Sequence, residues 1–179
     1  VKLRNAWPHL LIAGLAAGST LAVVLTRHRP TTAETEARSK NLLRVFREDE
    51  LSRIALQGSA TFALERRGGG DDRAWVLVPS GERTDQEAVE RVIAALGFAV
   101  PARPASETPA AAGIDAKSPK IEITAGDARY ELRLGKPVEP GDAAYLELHA
   151  EGAPGSGLYV VPKDVVALFS TDRDALRET

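Results

Sequence analysis

The chain has 179 residues, 23 Lys and Arg against 25 Asp and Glu, and a net charge of −2. Basic residues scattered among acids do not make the clustered cationic surface that nucleic acid or anionic lipid demands. With no cysteine, disulfides, thiol nucleophiles, thiolate metal sites and a lipid-modified cysteine are all excluded.

The balance is not even along the chain. Four of the basic residues and no acid lie before Pro30, so 19 basic face 25 acidic residues in the remainder, a net of −6. Residues 6–26 form an uncharged run broken only by His9, with Lys2 and Arg4 before it and Arg27 and Arg29 after it. A helix of about 20 residues spans about 30 Å, the hydrocarbon thickness, so the run is long enough to cross a bilayer. Leu10, Leu11, Ile12, Leu15, Leu21, Val23, Val24 and Leu25 favour insertion by about 0.3 to 0.6 kcal/mol each, before Pro8, His9 and the glycines subtract. No small-x-small cleavage site follows the run, so the sequence predicts a retained anchor over residues 1–29 rather than a signal peptide.

Gly14, Gly18 and Ala22 recur every fourth residue, which on a helix gives one face of small residues where another backbone could approach closely; composition alone could also supply such a pattern. Basic residues flank both ends of the run, so charge does not fix orientation. A short basic tail before a first apolar helix stays in the cytoplasm in most cases, which places the following domain on the extracytoplasmic, periplasmic side of an inner membrane.

Residues 30–45 are mostly polar and read as a stalk, although Leu42, Leu43 and Val45, with Phe46, could form a helical turn or a first strand. From residue 46 to 179 the expectation is one α+β domain. Ile54 and Leu56, Phe62 and Leu64, and Trp75 and Leu77 fall at period two, predicting three strands, the second and third joined by a hairpin at the Gly- and Asp-rich residues 67–72. That loop lacks the Lys-Ser or Lys-Thr of a phosphate cradle, and two aspartates would repel the anion.

Thr84 with Glu87 predicts a capping box, followed by a helix whose apolar face is Ala88, Val89, Val92, Ile93 and Leu96, ended by Gly97. Residues 100–112, rich in Ala and Pro, read as a long crossing within the domain. Strands are then predicted at Ile121 and Ile123, at Tyr130, Leu132 and Leu134, at Leu146 and Leu148, and at residues 158–161, with a turn at Gly126. Pro162 opens a last helix with Val165, Leu168 and Phe169 on one face. The fold class is therefore a mostly antiparallel sheet with two packed helices behind one membrane helix. The strand-Pro-helix sequence at residues 75–79 and again at 158–162 suggests two related halves.

Enzyme chemistry finds little footing. His149 is the one histidine clear of the apolar run and its flanks, and no Gly-x-Ser-x-Gly, His-Glu-x-x-His or phosphate-binding motif occurs. Asp71, Asp72, Asp127, Asp142, Asp172 and Asp174 sit in separate turns without ligand spacing and read as backbone-serving turn residues. No catalytic residue, cofactor or metal is expected.

Phe46 with residues 49–54, the Trp75 to Pro79 strand before a helix at Thr84 and Asp85, residues 112–115 with Pro119, the strand end at 132–135, Ala144 to Leu146, residues 158–160 and Asp172-Arg173-Asp174 follow in an order that resembles the domains of unknown function numbered 4340. The resemblance covers about residues 46–177. It implies an extracytoplasmic accessory subunit of a bacterial ABC transporter of the gliding-motility type, with a permease and its ATPase as partners, and carries no catalytic residues. The alternative from the residues alone is a bitopic scaffold of a cell-wall or secretion assembly.

Overall fold

Period-two alternation dominates the sequence after residue 50, and an antiparallel sheet is what it produces. The computed structural model describes residue 36 and residues 38–58, 60–68 and 73–178. The residues of the apolar run, with Gly14, Gly18 and Ala22, lie outside them. Among the described residues no helix is long and apolar enough to cross a membrane.

Eight strands are described: β1 (Leu51–Gln57), β2 (Thr61–Arg67), β3 (Ala74–Val78), β4 (Arg103–Pro104), β5 (Lys120–Ala125), β6 (Ala128–Val138), β7 (Ala143–Glu151) and β8 (Gly157–Val161). They form one sheet in the order β3-β2-β1-β5-β6-β7-β8-β4, every pair antiparallel. Two meanders thus run outward from the central β1–β5 pair. The crossing at residues 98–119 adds β4 outside β8, a short strand that the alternation does not announce because it is two residues long and half proline.

Helices α1 (Gln86–Gly97) and α2 (Lys163–Ala167) are described, α2 running on into a 3-10 turn at Leu168–Ser170. Val89, Ile93 and Leu96 of α1, with Val165, Leu168 and Phe169, share one core with Ile54, Leu64, Leu77, Ile121, Ile123, Leu132, Leu146 and Leu148 of the sheet. These strand residues are cross-strand partners or alternate neighbours, so a single sheet face carries them all. Burying one such side chain contributes about 1.5–3 kcal/mol. Leu42 and Leu43, within the stretch read as stalk, are also fully in this core, and Leu42 N–H donates to the Ala99 carbonyl at 2.7 Å.

Two details of α1 differ from expectation. The predicted capping box does not form: Thr84 is buried and its hydroxyl donates to the Trp75 carbonyl, so Asp85 takes the N-cap, Oδ1 accepting from Glu87 and Ala88 N–H at 3.0 and 3.1 Å. Gly97 is the last helical residue rather than the cap after it. The Phe46 ring lies 3.1 Å from where its Cβ would stand, so this glycine serves close packing of the preceding chain against the helix end. The β5–β6 hairpin meets the sequence reading: Gly126 takes φ +56 at the first of its two central residues, a position a hairpin turn reserves for positive φ.

Candidate functional site

Because both helices lie on one face, every second strand residue points to the other. In the middle of that open face three cross-strand rows stand side by side. Thr124, Arg129 and Glu151 form one, Glu122, Glu131 and His149 the next, and Lys120, Arg133 and Glu147 the third. The middle row sets two carboxylates directly opposite each other, an arrangement that destabilises a sheet unless other charges intervene. Each glutamate has a cation two residues along its own strand: Lys120 Nζ is 2.6 Å from Glu122 Oε1, and Arg133 Nε 2.5 Å from Glu131 Oε1. On β7, His149 Nε2 lies 3.7 Å from Glu151 Oε1. Toward the neighbouring strands Arg53 pairs with Glu65, which Arg67 also approaches.

The rows enclose a shallow depression of about 370 Å³ lined by Glu122, Thr124, Arg129, Glu131, His149 and Glu151. Its chemistry is that of a matched ionic lattice open to water. Each exposed pair is worth about 0–1 kcal/mol and weakens with salt, so the lattice orients side chains more than it stabilises the fold.

One end of the same face is covered. The crossing brings Ala112 and Ile114 onto Tyr145 and Val160 as a second, small core, and the Tyr145 hydroxyl donates to Glu107 Oε1 at 2.8 Å. Glu107's own backbone N–H and the Tyr145 hydroxyl hold its carboxyl below the usual range, while acceptance by Glu107 pushes the Tyr145 hydroxyl up. At the opposite end of the sheet Arg66 lies over the Trp75 ring, its guanidinium carbon 5.9 Å from the centroid, and donates to the Glu48 carbonyl at 3.1 Å.

Both sheet edges are closed to a further strand. Trp75 N–H donates to Gln86 Oε1 at 2.9 Å, the Trp75 carbonyl accepts from Thr84 Oγ1 and Gln86 Nε2, and Leu77 N–H donates to the Glu82 carbonyl at 2.9 Å. The other edge is β4, where Pro104 has no N–H to offer. Side chains and the backbone of the following turn therefore occupy one edge, and proline blunts the other.

Of the residues weighed in the sequence, His149 falls in the ionic lattice, whereas the aspartates stay apart. Asp142 pairs with Lys163 at 3.2 Å, and Asp172 accepts from Asp174 N–H at 3.0 Å as a turn residue does. Asp71 and Asp72 lie outside the described residues. Among the described residues no three His, Asp or Glu side chains gather as a metal site would require. The lattice itself was hidden from sequence reasoning: the alternating charges at 129–133 and 147–151 are visible, but their facing depends on register.

No protein-family model, curated protein or solved structure matches this chain.

Proposed function

We propose that the chain is a non-catalytic accessory subunit of a bacterial membrane complex of the ABC-transporter kind, held by one transmembrane helix at residues 6–26 with its α+β domain on the extracytoplasmic side. The observation that carries this reading is the uncharged run with basic flanks, joined through a short polar stretch to a domain with its own core. Gly14, Gly18 and Ala22 give the helix a face for packing into a permease span. The ordered resemblance of residues 46–177 supplies the transporter class.

In this reading the domain docks through its open sheet face. The closed edges leave no backbone for strand addition, and a charge-matched surface selects a partner by complementarity more than by apolar area. The two outward meanders, one leading through β3 and Pro79 to α1 and the other through β8 and Pro162 to α2, are the two related halves of such a domain.

The test is gentle solubilisation of native membrane, capture through a C-terminal tag and identification of what accompanies the chain. A multi-span permease with its ATPase is the expected result, with recovery reduced when Gly14 and Gly18 are both replaced by Leu. Recovery of single-span or cell-wall proteins alone would replace this reading with an envelope scaffold.

A further inference from the structure

Among the described residues the large hydrophobic side chains left exposed are Phe98, at 72 %, and Val100, at 45 %. Isolated apolar side chains on a surface need no explanation. These two stand together at one end of the domain, on backbone that is held in place. Phe98 N–H donates to the Ala94 carbonyl at 2.9 Å and Ala99 between them is buried.

The chain enters the domain at the same point. Asn41 Nδ2 donates to the Gly97 carbonyl at 2.9 Å, Leu42 N–H to the Ala99 carbonyl at 2.7 Å, and Phe46 packs on Gly97. Between Arg29, the last basic flank of the apolar run, and Arg38 lie few enough residues that the connection reaches at most about 30 Å.

We propose that Phe98 and Val100 are a lipid-contact point, inserting into the headgroup boundary of the bilayer that the anchor spans; this rests on the anchor reading given above. Among the described residues no other large apolar side chain is exposed beside them to build the apolar centre that a stable protein interface carries. The two suffice for a bilayer, because a short tether already holds the domain at high effective concentration beside it and the added contact has only to set orientation. The contact turns the end of the sheet bearing Leu51 toward the membrane, since Leu51 N–H bonds the Glu48 carbonyl and Glu48 reaches the α1 terminus at Gly97. The β1–β2 turn is then directed away from it.

The absence of cysteine makes the test direct. Full-length chain is placed in nanodiscs of zwitterionic lipid with a single cysteine at Phe98→Cys, Val100→Cys, Leu15→Cys or Thr61→Cys, each carrying an environment-sensitive fluorophore. Thr61 is exposed at the start of β2, opposite Gln57, which lies about 20 Å along β1 from Leu51. Labels at 98 and 100 should emit blue-shifted relative to 61 and be quenched by lipids brominated near the headgroup while 61 is not, and lipids brominated along the chain should quench 15. Quenching at 15 with labels at 98 and 100 as bright as at 61 would overturn the lipid contact and leave the anchor standing. A bright label at 15 would remove the anchor reading and this inference with it. Equal quenching at 61 and 98 would show a domain lying without a preferred end and would likewise overturn the proposal.

Discussion

Single residues decide how α1 begins and where the chain is pinned. Asp85 satisfies two backbone N–H groups that would otherwise be orphaned, so Asp85→Ala should cost about 0.5–2 kcal/mol in urea unfolding. Glu87→Ala, which would break a capping box if one existed, should leave stability nearly unchanged, because Glu87 only approaches Arg91 at 3.8 Å on an exposed surface. Tyr130 pins the incoming chain by donating to the Val45 carbonyl at 2.6 Å, and burial pushes its hydroxyl up to about 12. A folded value above the unfolded one near 10 means that the folded state holds the proton more tightly. Its contribution is complete below pH 10 and is lost as pH climbs from 10 toward 12. Alkaline unfolding followed by circular dichroism should therefore steepen across that window, and Tyr130→Phe should flatten it.

At the level of elements, seven of the eight described strands and both helices could be read from the sequence because apolar residues at period two or 3.6 mark burial on one side; β4, two residues long, carries no such pattern. Ile121 with Ile123 and Leu132 with Leu134 need no partner to reveal which way they face. Which strands neighbour each other is another matter. β1 lies beside β5 and β4 beside β8 through contacts across long stretches of chain, and no local pattern encodes them. The charged lattice depends on that pairing, so it stayed out of reach although every member was visible. Thr84 misled for a related reason: a cap is judged from neighbours in sequence, while its hydroxyl was taken by a strand nine residues away. Closure of the β3 edge follows from the same contacts. Replacing Thr84 by Val and Gln86 by Ala frees the Trp75 N–H and carbonyl, and sedimentation should then report more self-association than for the parent chain.

Across the whole molecule the last residues described return to the first helix. Arg173 and Arg177 each place a nitrogen 2.8 Å from Glu82, whose carboxyl is held below its usual range by the Ser80 hydroxyl and then by the two guanidiniums. Asp85 N–H donates to the Leu176 carbonyl at 3.0 Å, and Leu176 is buried. Leu176→Ala should cost about 2–5 kcal/mol by urea titration, and Glu82→Gln much less, because the ions are exposed and the leucine is not. The clasp joins residues 93 positions apart, Ser80 and Arg173. A chain delivered from its amino end therefore presents β1, β2, β3 and α1 long before the segment that locks them exists. The turn at residues 80–85 is by then already held from β3, through Leu77 N–H on the Glu82 carbonyl and the Thr84 hydroxyl on the Trp75 carbonyl, and β5 precedes the clasp as well, so what the last segment adds is the two guanidiniums on Glu82 and the buried Leu176. Order of synthesis thus makes this clasp one of the last contacts that the domain can form.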